Sequence, residues 1–134
     1  VDSHNFTPTV NRSIKQLNKY DFKPFKKKRS FFAMTAHVIY KSLDSNNTAT
    51  HSKKVIEFIR NKIGFKNIII SDDLSMKSLK DDMKEKTIKT FKAGCNIALH
   101  CNSNLNEMKI VADNSPLISS FIIKKTSQFY KILS

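Results

Sequence analysis

The run from Asn67 to Met76, Asn-Ile-Ile-Ile-Ser-Asp-Asp-Leu-Ser-Met, sets the tightest limit on what this chain can fold into. Ile68, Ile69 and Ile70 are β-branched, Gly64 stands shortly before them, and polar residues follow at once. A short, uniformly apolar run of this kind reads as a strand buried on both faces of a parallel sheet, since a strand with one wet face would alternate. Asp72 and Asp73 then fall where that strand ends. In α/β folds, and in (β/α)8 barrels above all, the C-terminal rim of the strands is where loops converge on one pocket and chemistry is done. Ser71, Asp72 and Asp73 equally suit the cap of a following helix, because their side-chain oxygens accept the first helical N–H groups.

The rest of the chain can be placed around this strand. Residues 1 to 10 read as a loop closed by Thr7 and Pro8, and Asn11 suits the cap of a helix carrying Ile14, Leu17 and Tyr20, which Pro24 ends. Phe31 to Tyr40 is a second strand-like run, with His37 and Tyr40 near its C-terminal end. Ser52 is a good N-cap for a helix whose Val55, Ile56, Ile59 and Ile63 recur at helical spacing, and Gly64 fits the left-handed residue that stops it. Met83, Ile88 and Phe91 mark a further helix ended by Gly94, and Asn96 to Cys101 makes a third strand. From Leu105 the pattern is helical, broken at Pro116 and resumed through Leu117, Phe121, Ile122 and Tyr130.

Three strand-helix units in strict alternation predict a single α/β domain over residues 1–134, a parallel sheet with helices packed outside it. A closed eight-stranded barrel takes about 200 residues or more. A chain of 134 cannot complete one, and its outer strands leave backbone groups that need covering.

Composition narrows the function classes. No segment approaches the ~20 apolar residues of a membrane helix, and the first residues, Val-Asp-Ser-His-Asn, carry no basic-then-apolar leader, so a cytoplasmic location is expected. Cys95 and Cys101 on one extended strand would lie about 20 Å apart, too far for a disulfide, and read as buried reduced thiols rather than a bridge or a metal site. The net charge of +13 raises nucleic acid as a partner. Only Lys26 to Arg29, flanked by Phe22, Phe25, Phe31 and Phe32, interleaves aromatics with base; elsewhere the lysines alternate with acids as on solvated helix faces.

Asp2-Ser-His4, Met34-Thr-Ala-His-Val38, Gly64-Phe65, Ser71-Asp-Asp-Leu-Ser-Met76, Ala93-Gly-Cys95 and Cys101-Asn102 occur in an order that is recognisable. Over residues 1 to about 103 the chain resembles the C-terminal part of the bacterial family 3 glycoside hydrolases that act as β-N-acetylhexosaminidases in peptidoglycan recycling. The resemblance implies a partial (β/α)8 barrel, roughly the last three strand-helix units. It makes Asp72 the nucleophile, forming a covalent glycosyl-enzyme in a retaining double displacement. His4 becomes the acid/base and Asp2 the carboxylate that orients it. In an extended loop, residues i and i+2 point the same way, so Asp2 can accept one ring N–H, fix the tautomer and leave the other nitrogen for the substrate. His37 and Met76 are candidates for the wall of the sugar pocket, each with core packing as the alternative role, and Asp73 reads as a supporting group or helix cap. The chemistry calls for no metal and no cofactor.

Asn96 stands where the family usually carries aspartate, and the family's sugar-binding Lys-His-Phe-Pro-Gly-His-Gly segment is absent before Asp2. Remote sugar contacts position substrate for attack. The expectation is therefore a truncated or split β-N-acetylhexosaminidase acting on N-acetylglucosamine-containing peptidoglycan fragments, weak or inactive alone, with a partner chain supplying the missing barrel half. The alternatives are a catalytically dead remnant and a small basic nucleic-acid-binding protein.

Overall fold

The structure is a computed structural model that describes residues 5–26 and 29–133. Asp2 and His4, and Lys27 and Lys28 of the basic cluster, lie outside the described residues. Among the described residues all strand pairing is parallel. β2 (Phe32–Met34), β4 (Ile68–Asp73) and β5 (Ile97–Leu99) form a three-stranded sheet with β4 in the middle, and β1 (Thr9–Val10) pairs with β3 (Ile39–Tyr40) in a separate two-stranded ladder. Phe32 is in register with Ile68 and Ile70 with Ile97.

The middle strand is as buried as its composition requires: Ile68 and Ile69 are 0% and 1% exposed. On one side Ile69 packs with Ile56, Phe65, Ala93 and Cys95, so the helices before and after the strand share one core with it. These are α2 (Lys53–Phe58), which runs on as a π-turn over Ile59–Ile63, and α3 (Met83–Ala93). A second cluster of Leu74, Leu79 and Met83, with Ala98 and Val111 against it, joins α3 and β5 to α4 (Leu105–Asp113). The last helix, α5 (Ser120–Leu133), crosses the start of the sheet, where Phe129 lies 5.5 Å from Phe31 and 5.2 Å from Phe32.

Helix boundaries follow local chemistry. The Ser52 hydroxyl accepts the Val55 N–H at 3.2 Å and caps α2, and Gly64 and Gly94 close α2's π-turn and α3 with φ of 85° and 109°. The first helix, α1 (Ile14–Gln16), is capped by Ser13 rather than Asn11, because Ser13 and Gln16 complete a reciprocal capping box. On α3 the buried face is Met83, Lys86, Thr87, Thr90 and Ala93, while Ile88 and Phe91 are only half-buried. The Thr87 and Thr90 hydroxyls donate to the carbonyls one turn back, both at 2.8 Å, which is what lets a polar face enter the core.

Two departures from the sequence reading matter for the site. Thr9 and Val10 are strand rather than loop, held against β3. The Phe31 to Tyr40 run is not one strand: it leaves the main sheet after Met34 and rejoins a different ladder at Ile39. Its cause is polar. Thr35 and His37 turn into the interior, where the Thr50 hydroxyl lies 2.9 Å from both the Thr35 hydroxyl and the His37 Nδ1. The segment carrying Thr50 is itself fixed by Asp44, which accepts hydrogen bonds from the Ser52 hydroxyl at 2.7 Å and from the Asn46 and Asn47 backbones at 3.0 and 3.2 Å.

Candidate active site

β4 delivers Asp72 and Asp73 at its C-terminal end, and the structure gives the two carboxylates different work. Asp73 is consumed by the protein. Its Oδ1 accepts the Ser75 N–H and the Cys101 N–H, each at 3.0 Å, and its Oδ2 accepts the Ser75 hydroxyl. Burial opposes the charge of Asp73, but the hydrogen bonds from Ser75 and Cys101 outweigh it and hold the carboxyl below the usual carboxylate range. Asp72, half-buried, accepts the N–H of Asp73 at 2.9 Å through Oδ1. Neither carboxylate caps a helix, since the next helix starts ten residues later under Asp82, whose side chain takes the Glu85 N–H at 2.8 Å.

The backbone of the turn is held from three directions. His37 Nε2 lies 2.9 Å from the Asp73 carbonyl, Lys86 Nζ donates to the Leu74 carbonyl at 3.0 Å, and the Leu74 N–H donates to the Leu99 carbonyl at 2.9 Å. Lys86 is 7% exposed; burial lowers its pKa, while the charges of Glu107, Asp81 and Asp73 work the other way. Burial lowers the pKa of His37 as well, against the pull of the Asp73 carbonyl and the Asp72 and Asp73 carboxylates. Cys101, at the same rim, has its thiol raised by its slight burial and by both aspartates.

His37 is 0% exposed with both ring nitrogens engaged by protein groups, so it is the hydrogen-bonded core histidine rather than a wall of a sugar pocket. Met76 is 6% exposed and sits in the core. Asp2 and His4, which the resemblance assigns to acid/base work, are outside the described residues. The Thr7 hydroxyl donates to the Ser78 carbonyl, tying Thr7 to the loop after the doublet. Asn96 keeps a contact despite its missing charge: its Oδ1 accepts from Arg60 Nη2 at 2.7 Å and from the Ile69 N–H at 2.9 Å. Among the described residues no cluster of three or more His, Cys, Asp or Glu could hold a metal, and no helix is long and apolar enough to cross a membrane.

Sequence reading passed over Lys86 and Thr50. Lys86 looks like its neighbours Lys84, Lys89 and Lys92, yet its spacing from Met83, Thr87 and Thr90 puts it on the buried face of α3, and that was the available signal. Thr50 carries no local signal, because its partner His37 is set by the fold. A cavity of about 480 Å³ lies elsewhere: an apolar groove between β2 and the helices, lined by Phe22, Phe25, Phe32, Tyr40 and Phe58, with Asp72 not among its walls. Of the phenylalanines around the basic cluster, Phe22 is buried and Phe31 and Phe32 face Phe129, so three of the four are engaged in packing rather than displayed for stacking on bases.

Parallel strands with helices packed against them define an α/β protein, with a strand-end carboxylate beside a second one committed to the scaffold. The chain belongs to the glycosyl hydrolase family 3 N-terminal domain family, whose model matches residues 1–127. It is 30% identical over 120 residues to a β-hexosaminidase of Idiomarina loihiensis, a match covering 87% of this chain and 36% of that protein. Among solved structures it is similar to NagZ from Neisseria gonorrhoeae in complex with N-trifluoroacetyl-D-glucosamine, with 30% identity, a TM-score of 0.79, and coverage of 94% of this chain and 37% of that one. A family 3 β-N-acetylglucosaminidase from Paenibacillus sp. str. FPU-7 superposes with a TM-score of 0.80 at 25% identity, covering 96% of this chain and 27% of that one. The chain thus spans about a third of the length of the relatives it matches.

Proposed function

We propose that this chain carries the nucleophile half of a retaining β-N-acetylhexosaminidase acting on N-acetylglucosamine-containing peptidoglycan fragments. Asp72 attacks the anomeric carbon and forms the glycosyl ester; His4, oriented by Asp2, protonates the leaving oxygen and then activates water. The observation that carries this reading is the division of labour in the doublet: Asp73 is bound to Ser75 and Cys101, while Asp72, at the end of the middle strand, takes its one hydrogen bond among the described residues from its neighbour's N–H. The amino-sugar substrate is supported by the N-acetylglucosamine analogue in the gonococcal relative.

We place the three strands as the last strand-helix units of a (β/α)8 barrel. Among the described residues β2 and β5 have one neighbour each, and an apolar groove runs beside β2. Both features suit a preceding segment, in this chain or a partner chain, that adds the remaining strands. The test is a fluorinated N-acetylglucosaminyl fluoride, which forms the ester quickly and hydrolyses it slowly, with and without the N-terminal half of a relative. A mass increase of one glycosyl unit on the Asp72 peptide, absent in Asp72→Asn, is expected, together with an ~10³-fold or greater loss of chromophoric β-N-acetylglucosaminide hydrolysis in that variant. Label on another residue refutes the assignment. No label with the complementing half bound makes the chain a non-catalytic remnant.

A further inference from the structure

The geometry points to His37 as a positioning residue that holds the Asp72 carboxylate in place by gripping the peptide unit next to it, with Thr50 and Thr35 fixing its tautomer. His37 lies where the second strand-like run breaks, 36 residues from Asp73 in sequence and 2.9 Å from its carbonyl. A carbonyl oxygen only accepts, so Nε2 carries the proton. In the neutral ring that burial favours, Nδ1 is then an acceptor and takes the Thr50 hydroxyl proton at 2.9 Å, in preference to the Ala36 carbonyl, which lies farther from the same hydroxyl at 3.3 Å. That spends the single proton of Thr50, so the Thr35 hydroxyl, also at 2.9 Å, donates to Thr50. The result is a directed relay from Thr35 through Thr50 and His37 to the Asp73 carbonyl.

At its end, Asp73 grips Asp72. The N–H of Asp73 donates to Asp72 Oδ1 at 2.9 Å, so the residue whose C=O is pinned by His37 is the residue whose N–H sets the Asp72 carboxylate. The Asp73 side chain, bound by Ser75 and Cys101, stops the same residue from twisting in the other direction. A hydrocarbon of similar volume would fill the His37 site without the cost of burying polar atoms. What it would not supply is the tether.

This assignment rests on Asp72 as nucleophile, and two amide variants separate the parts of it. In His37→Gln the side-chain amide nitrogen reaches the place of Nε2 and keeps the donor to Asp73; in His37→Asn it reaches only the place of Nδ1 and loses the tether. With the fluorinated sugar and the complementing half, His37→Asn is expected to form the ester about 10- to 100-fold more slowly with half-saturation within about twofold, and His37→Gln to recover to within about threefold of wild type. Should His37→Asn not fold, Thr50→Val, which removes the hydroxyl at nearly constant shape, takes its place: it is expected to form the ester about 3- to 30-fold more slowly than wild type, and a wild-type rate in that variant overturns the proposal.

Equal losses in Asn and Gln, or a wild-type rate in a folded His37→Asn, overturn the proposal. Failure of the wild-type protein to form any ester would count against the nucleophile instead, and the positioning role is then read from the carbon-13 resonance of the Asp72 carboxyl, assigned through Asp72→Asn. That resonance should move in His37→Asn and stay in His37→Gln. An Asp72 signal unmoved by His37→Asn removes the role whatever the activity.

Discussion

Arg60 offers the sharpest test of how this chain differs from its family. Its guanidinium donates to the Phe65 carbonyl at 3.2 Å, to the Asn67 carbonyl and to Asn96 Oδ1 at 2.7 Å, and it stands 5.9 Å from the Phe65 and Phe121 rings. Among the described residues it forms no ion pair, and burial lowers its pKa, so a half-buried cation is held by neutral groups alone. Asn96→Asp would supply the charge that the family resemblance implies at this position. Two unit charges about 4 Å apart at an effective dielectric near 20 attract by about 4 kcal/mol. Desolvating the new carboxylate takes back more than half, because the site is only partly open to water. The Ile69 N–H, already 2.9 Å from Oδ1, moderates that cost by giving the carboxylate a second donor.

The net expectation is about 1 to 2 kcal/mol of stabilisation at pH 7, or a Tm rise of roughly 3 to 8 °C for a domain of this size. The sign with pH follows from linkage: a carboxyl whose folded pKa lies below its unfolded value stabilises above the unfolded pKa, near 3.9, and loses that gain as pH falls through the folded one. Urea titrations of both proteins at pH 7, 5 and 3 in low salt read the difference directly. A neutral or destabilising Asn96→Asp at pH 7, or a gain that persists unchanged at pH 3, would refute the view that Arg60 lacks a counter-charge.

Three further outcomes follow from the same structure. Asp73→Ala should cost about 2 to 4 kcal/mol in urea titration, since it strands the Ser75 and Cys101 N–H groups, whereas Asp72→Asn should leave stability within about 0.5 kcal/mol because an amide oxygen still accepts the Asp73 N–H. Burial opposes the Asp44 charge, but hydrogen bonds from Ser52, Asn46 and Asn47 prevail and bring its pKa to about 2. Its contribution is thus present above its unfolded pKa and lost as pH falls toward 2, and Asp44→Ala should flatten the Tm profile over that window. Gly94→Ala should destabilise more than Gly64→Ala in thermal melts: both have positive φ, but a Cβ at Gly94 would stand 3.1 Å from Ile56 Cγ2, and at Gly64 it meets nothing within 4 Å.

Much of the framework was written in local chemistry. The isoleucine run, the Ser52 cap and the Gly64 and Gly94 stops each depend on residues close in sequence, and each forms as expected. The failures have a common cause. Phe31 to Tyr40 is continuous in hydrophobicity, and its break at Thr35 to His37 is dictated by Thr50, which periodicity cannot see. Thr9 and Val10 are too few to show a pattern, and they are strand only because β3 lies beside them. At the site, the position of the aspartate pair was legible from the strand that ends there, but its asymmetry was not: Asp73 is engaged through a backbone N–H that arrives from Cys101, 28 residues away.

The two thiols differ in a way that gives experimenters a handle. Cys95 is 5% exposed, and burial pushes its thiol up to about 12, which leaves it protonated and shielded from alkylating reagents. Cys101 is exposed, on the residue whose N–H holds Asp73. A maleimide spin label or fluorophore added to the native protein should therefore attach at one position, without mutagenesis, and report on motion at the strand ends when a sugar or a complementing half arrives.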